Sequence, residues 1–241
     1  MSSFTSILIT GANRGLGLEF VKQYAAIANV NLIFATCRNP EKADKLQAIA
    51  KSNPKVRVLQ LNVADYNQHQ ALTETVRSVV KDNGLNLLIN NAGVYVRGDL
   101  ERTTPEGMME SFSVNTIAPL MLTKALLPLL KESSSQGHKT AIINITSKMG
   151  SIDDNTSGSH YMYRSSKTAL NMVTKGLSVD LKTFKIICIA QHPGWVQTDM
   201  GGKNAPLTES QSISAMIQTI ENADESVNGK MLNYDGKVIP W

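Results

Sequence analysis

Short apolar runs punctuate the chain at Ser6–Ile9, Asn31–Thr36, Val56–Leu61, Leu85–Asn90, Thr140–Ile145, Ile186–Gln191 and Lys230–Asn233. Longer amphipathic pieces lie between them, near 15–28, 40–52, 67–82, 105–131, 162–183 and 209–222. Nearly continuous apolar strands that alternate with helices indicate a parallel sheet buried on both faces. Right-handed crossovers then predict an α/β fold, a Rossmann-type doubly wound sheet of about seven strands with helices on both sides. Its ligand crevice lies at the carboxyl ends of the strands. No repeat, low-complexity stretch or linker divides the sequence, so its 241 residues are expected to form a single domain over 1–241.

Composition removes several alternatives. Net charge is only +4, with Lys and Arg scattered among Asp and Glu, which argues against a nucleic-acid surface. Cys37 and Cys188 sit inside apolar runs without disulfide or metal spacing, and the four histidines are dispersed. A reducing compartment and no metal are the expectations. The N-terminus carries no basic-then-apolar signal pattern. The longest apolar segment, Ile117 to Leu130, is interrupted by Pro119, Lys124 and Pro128, which predicts no membrane span. Cytoplasmic localisation is the default.

Directly after the first apolar run comes Thr10-Gly11-Ala12-Asn13-Arg14-Gly15-Leu16-Gly17. A glycine-rich turn between strand and helix lets backbone N–H groups and the helix N-terminus meet a pyrophosphate. Gly11 permits the tight turn, Gly15 a close backbone approach, and Gly17 close packing of helix on strand. Three residues separate the first two glycines, two more than the familiar G-x-G-x-x-G would have. A purely structural turn is the competing reading. The loops Asn90–Gly93, Thr146–Gly150 and His192–Trp195 follow later strands and fall at the same sheet edge.

In dinucleotide folds an acidic residue about 20 positions beyond the fingerprint binds the ribose 2′-hydroxyl of NAD. Here the second strand ends Ala35-Thr36-Cys37-Arg38-Asn39, with no carboxylate before Glu41. Guanidinium groups form charge-assisted bonds with a 2′-phosphate, whereas a carboxylate repels one. Arg38, with Arg14 as second guanidinium, therefore points to NADP(H). Asn62 and the adjacent Val63 backbone are candidates for the adenine. Solvated loop arginines are the plainer alternative.

Tyr163 and Lys167 stand four residues apart near a helix start, and so share a face. Hydride delivery to a carbonyl needs a proton donor for the alkoxide formed. Free tyrosine titrates near 10, and a neighbouring ammonium is expected to lower that value. Ser147 would hold the carbonyl oxygen as an oxyanion donor does. The plainer readings are a packed aromatic for Tyr163 and a turn hydroxyl for Ser147.

Together these strings resemble a short-chain dehydrogenase/reductase over essentially the whole length. The resemblance rests on Thr10–Gly17, Asn90–Gly93, Asn115 within Val114-Asn115-Thr116, Ser147, Tyr163/Lys167, and Pro193-Gly194 followed by Thr198. Within that family the chain is most similar to the Sniffer/C-factor-like carbonyl reductases, through Asn13–Gly17, Thr36–Asn39, His192–Val196 and Asn233–Gly236.

The resemblance implies Tyr163 as acid/base and Lys167 as the ligand of the nicotinamide ribose. It implies Asn115 as holder of a proton-relay water, with a helix-kinking polar residue as its plainer role. Asn91, Ala92 and Gly93 would lie near the adenosine ribose, and Thr198 at the carboxamide or phosphates, with Pro193, Gly194 and Val196 lining the cofactor site. A homodimer through the long helices is implied as well. Two positions depart from the pattern: Asn62 replaces the usual Asp, and Ser147 precedes Tyr163 by 16 positions. Ser151 has the more usual spacing; Ser147 is preferred because it directly ends a strand.

An NADPH-dependent reductase of aldehydes, ketones or quinones is the leading expectation, its partner a small carbonyl compound rather than nucleic acid or membrane. A fairly open pocket and a mobile loop at Gly201-Gly202 accompany it. The alternative is an NADP(H)-binding regulatory protein acting through partners.

Overall fold

A computed structural model describes residues 1–241. Its strands are β1 (Ser6–Thr10), β2 (Leu32–Cys37), β3 (Val56–Gln60), β4 (Leu87–Asn90), β5 (Thr140–Ile145), β6 (Ile186–Gln191), β7 (Met231–Leu232) and β8 (Val238–Ile239). They form one sheet in the order β3-β2-β1-β4-β5-β6-β7-β8. Every neighbouring pair from β3 to β7 is parallel, and β8 returns antiparallel to β7. The expected α/β doubly wound sheet is therefore present with eight strands rather than about seven. The additional strand is a two-residue return after a turn whose Gly236 has φ +84°. The strand order reverses between β1 and β4, which opens the crevice of a doubly wound sheet at their carboxyl ends.

Alternation along the strands divides the core. Ile7, Ile9, Leu87, Ile89, Ala141 and Ile143 face one side, where they meet helices α1 (Gly15–Ala26), α2 (Asp44–Ser52) and α7 (Glu209–Asn222). Leu8, Leu88 and Ile142 point the other way, onto α3 (Asn67–Val80) and α5 (Ala118–Ser135). Helix α6 (Tyr161–Asp180) lies beside β6 and against α4 (Pro105–Phe112). Successive strand residues thus both bury, which explains the unbroken apolar runs. Each fully buried aliphatic side chain adds roughly 1.5–3 kcal/mol, so the sheet is a stiff base for the loops at its edge.

The piece read near 105–131 is longer than expected. Thr104 caps α4 by accepting from Gly107 N at 3.1 Å, and a π turn over Ser113–Ile117 joins α4 to α5. Pro119 comes just after the π turn, and Pro128 lies within the helix. By length and composition alone the combined helix Pro105–Ser135 could cross a membrane, but half of its most apolar window is buried in the fold. Leu122, Leu126, Leu129 and Leu130 are instead buried against the sheet.

Candidate active site

The glycine turn follows the geometry its sequence implies. Gly11 has φ +65°, and a Cβ there would lie 3.0 Å from the Ala92 backbone. A Cβ at Gly17 would stand 2.2 Å from the Gly11 carbonyl oxygen, so only glycine lets α1 start this close to β1. Gly15 differs, because a Cβ there would meet nothing nearer than 3.9 Å. Its φ of +55° is what favours glycine. No side chain caps the start of α1, and its first turn contains no acid. Uncapped N–H groups with the helix dipole behind them suit a phosphate, and Leu16 within that turn packs on the core beneath.

Asn13, Arg14 and Arg38 are exposed around this turn. Arg14 donates to Asp199 at 2.7 Å, an ion pair whose side chains are both more than two-thirds exposed. No carboxylate stands at the end of β2. The Arg38 carbonyl accepts from Gln60 Nε2 at 3.2 Å, which leaves the guanidinium outward. Asn62 is exposed at the end of β3, where its Oδ1 accepts from Ala64 N at 3.3 Å. The Val63 carbonyl is bonded to His69 Nε2 at 3.0 Å.

The second half of the site is buried. Ser147 leaves β5 with its Oγ accepting from Met149 N at 3.2 Å. Tyr163 and Lys167 lie on one face of α6, the Lys167 Nζ 5.8 Å from the Tyr163 ring centre. Lys167 donates to the Ile145 carbonyl at 2.8 Å, and burial lowers its pKa to about 8. Tyr163 shows the opposite shift. Burial pushes its phenol up to about 12, the Ser147 hydroxyl beside it pulls it back, and Tyr95 adds to the rise. The sequence argument expects a lowered value; in the chain itself desolvation outweighs the hydrogen bond. Ser147 is beside Tyr163, and Ser151 Oγ accepts from Asp154 N at 3.1 Å within the following loop.

Asn115 lies in the π turn and is fully buried. Its Oδ1 accepts from Val94 N and its Nδ2 donates to Val94 O, both at 2.9 Å, with Ser166 Oγ at 3.0 Å. A Cβ on Gly93 would sit 3.2 Å from Asn115 Oδ1 and 3.7 Å from Lys167 Nζ. Asn115 thus brings the Gly93 strand end beside Lys167. Asn91 has a similar use, donating from Nδ2 to Thr10 O at 2.8 Å and Gly11 O at 3.2 Å. Its amide braces the glycine turn.

The segment after β6 completes the rim. Gly194 has φ +80°, and a Cβ there would clash with Leu207 and Tyr234. Pro193 precedes it, its carbonyl accepting from Ser212 Oγ at 2.6 Å, and Val196 is buried. Thr198 places its methyl 3.9 Å from where a Cβ on Gly15 would be. Local hydrogen bonds hold the Gly201-Gly202 pair. Trp195 Nε1 donates to Gly201 O at 2.7 Å, Thr198 Oγ1 accepts from Gly201 N at 3.0 Å, and Gly202 N donates to Thr198 O at 2.9 Å. Met200 Sδ lies 4.0 Å from the Tyr163 hydroxyl.

Two residues near Tyr163 escape sequence reasoning: Tyr95 and His160. The Tyr95 ring packs edge-to-face on Tyr163 at 4.7 Å, and its hydroxyl shares a 3.0 Å bond with His160 Nδ1. His192 Nδ1 is buried without a partner. Burial lowers the His192 pKa to about 4, with Lys148 adding to the fall and Asp154 opposing it.

A short chain dehydrogenase family model matches residues 5–209. Among curated proteins, the C-signal of Myxococcus xanthus is 38% identical over 161 residues, covering 65% of this chain and 93% of its own length. The short-chain dehydrogenase RED3 of Pyricularia oryzae is 32% identical and covers all of both chains. Among solved structures, the carbonyl reductase Sniffer of D. melanogaster superposes with a TM-score of 0.97 at 41% identity, over 99% of this chain and 100% of that one. An NADPH-bound carbonyl reductase from chicken fatty liver gives 0.95 at 42% identity, over 99% of each.

Proposed function

The chain belongs to the short-chain dehydrogenase family, and from that premise we propose that it is an NADPH-dependent carbonyl reductase. One observation carries the reading: Tyr163 has the Ser147 hydroxyl and the Lys167 ammonium beside it at the sheet edge that also carries the uncapped glycine turn. The NADPH bound to the chicken relative and the absence of an acid after β2 support the phosphorylated cofactor.

The residues fit that cofactor. The first N–H groups of α1 would hold the pyrophosphate, Arg14 and Arg38 the 2′-phosphate, and Asn62 with the Val63 backbone the adenine. Ala92 and Gly93 would flank the adenosine ribose, Lys167 would hold the nicotinamide ribose, and Pro193, Gly194, Val196 and Thr198 would border the nicotinamide. The bound cofactor supplies the hydride.

The protein supplies the proton and the alignment. Ser147 Oγ donates to the carbonyl oxygen and fixes its position beside the phenol. Tyr163, held protonated far above neutral pH, gives its proton to the alkoxide as charge develops. A general acid of this kind contributes roughly 10²–10⁴ in rate. Lys167 keeps an ammonium near the phenol and the ribose at neutral pH, because even its lowered pKa is about 8. Asn115 fixes the backbone beside Lys167 and is the candidate for anchoring the relay that returns the proton.

The test is NADPH consumption against a panel of aldehydes, ketones and quinones, repeated with NADH. Turnover with NADPH and much weaker turnover with NADH is expected. NADPH binding without turnover of any panel member overturns the reading.

The C-signal likeness favours one second reading, an NADP(H)-responsive regulator. Its test is a Tyr163→Phe chain with unchanged biological effect. A homodimer is also proposed. Leu122, Leu126 and Leu170 belong to the core, but Met109 and Met172 remain 63% and 72% exposed on α4 and α6, and light scattering reads the stoichiometry.

A further inference from the structure

The polar loop between Ser147 and Tyr163 ends in an unusual backbone. Gly158, Ser159 and His160 occupy the left-handed region in succession, with φ of +61°, +60° and +54°. Two of these are not glycine, and such conformations cost of order 1–3 kcal/mol each unless surrounding contacts hold them. The contacts are visible. Arg164 donates from Nε to Gly158 O at 3.1 Å, from Nη2 to Ser157 Oγ at 2.9 Å and from Nη1 to Met149 O at 3.3 Å.

The strained turn places the His160 ring against Tyr95, with 5.6 Å between ring centres. Its Nδ1 shares the 3.0 Å bond with the Tyr95 hydroxyl, and its backbone N–H donates to Gly98 O at 2.9 Å. Two bonds therefore tie the Tyr95–Gly98 stretch to the start of α6. A Cβ on Gly98 would lie 2.6 Å from Met162 Cε, so that stretch is pressed against the helix. Arg97 stands over the outer face of the Tyr95 ring at 5.4 Å, and Tyr95 meets the Tyr163 ring at 4.7 Å with 61° between planes.

The geometry points to Tyr95 and His160 as a positioning pair for Tyr163, in which the His160 bond fixes the Tyr95 ring and that ring fixes the orientation of the Tyr163 phenol. The inference rests on the reading of Tyr163 as proton donor. Neither residue exchanges a proton with substrate; they narrow the range of Tyr163 orientations, and misplacement of a reacting group is costly in rate.

Three substitutions test the pair. Tyr95→Phe keeps the ring and removes the hydroxyl. His160→Gly removes the imidazole while accepting the left-handed backbone. His160→Asn also accepts that backbone and keeps a polar acceptor at the δ position. Expected are losses in turnover of about fivefold to tenfold for Tyr95→Phe and for His160→Gly, in line with loss of one hydrogen bond. The double variant should lose no more than either single one, and His160→Asn should stay near the parent. NADPH affinity stays unchanged throughout.

A purely structural His160 gives another pattern, since glycine relieves its backbone strain and His160→Gly is then harmless. That result, or losses that multiply in the double variant, overturns the inference. Tyrosine ring-carbon NMR supplies a readout independent of turnover. The Tyr163 resonances, assigned with Tyr163→Phe, should shift in Tyr95→Phe and His160→Gly and stay in place in His160→Asn. If the parent protein reduces no carbonyl, the reductase reading fails; unmoved Tyr163 resonances fail the positioning pair on their own.

Discussion

The two ends of the cofactor crevice are built differently. At the reaction end, Tyr163 and Lys167 are buried, their pKa values are displaced in opposite directions, and the Asn115, Lys167 and Ser147 side chains are hydrogen-bonded to neighbouring backbone. At the phosphate end, Arg14 and Arg38 stand in solvent, and the ion pair of Arg14 is shared with an equally exposed Asp199. Burial makes the first end stiff and intolerant, because every polar atom there has been desolvated and needs its partner. Exposure leaves the second end adjustable. Chemistry at one end should be nearly all-or-none, and cofactor preference at the other graded.

Substitution at the buried end is the sharpest way to break that contrast. Ser147→Ala should lower turnover by roughly 10²–10³, the size of losing an oxyanion donor, while Ser151→Ala stays active. The reverse outcome in steady-state assays would move the carbonyl contact to Ser151. At the exposed end, Arg14→Ala and Arg38→Ala should each weaken NADPH by about tenfold to a hundredfold, as expected for lost hydrogen bonds to a charged group. NADH affinity should hardly change, and cofactor fluorescence titration separates the two.

A second contrast lies in the pH response. The His192 pKa falls from 6.5 to about 4, so between those values the unfolded chain binds more protons than the folded one. Stability should therefore rise with pH across that window, by up to about 3 kcal/mol. His192→Asn should flatten the rise in a denaturant series measured from pH 4 to 7. The smallest effect belongs to the exposed ion pair, worth at most about 1 kcal/mol. Asp199→Asn should free Arg14 and tighten NADPH by no more than about fivefold.

The same contrast governs what the sequence made legible. Strands buried on both faces leave unbroken apolar runs, so β1 to β6 could be read within a residue or two. β8 could not, because Val238 and Ile239 are too few to form a pattern and acquire their pairing from a turn. Gly11, Gly15, Gly17, Tyr163 and Lys167 sit at spacings set by local backbone geometry, and such spacings survive in a string of letters. Tyr95 and His160 meet from positions 65 apart, through a left-handed turn that leaves only a polar Ser-Gly-Ser-His run as its trace. The raised Tyr163 pKa was likewise hidden. Sequence spacing reveals that Lys167 shares its face, whereas burial, the larger influence, is a property of the packed pocket.

The central claim is that Tyr163 donates a proton during carbonyl reduction while the glycine turn holds NADPH independently of it. Turnover and NADPH affinity measured side by side on the parent and on Tyr163→Phe test this most directly. The account predicts a loss of roughly 10²–10⁴ in turnover with NADPH affinity preserved. A Tyr163→Phe protein that reduces carbonyls at the parent rate contradicts it.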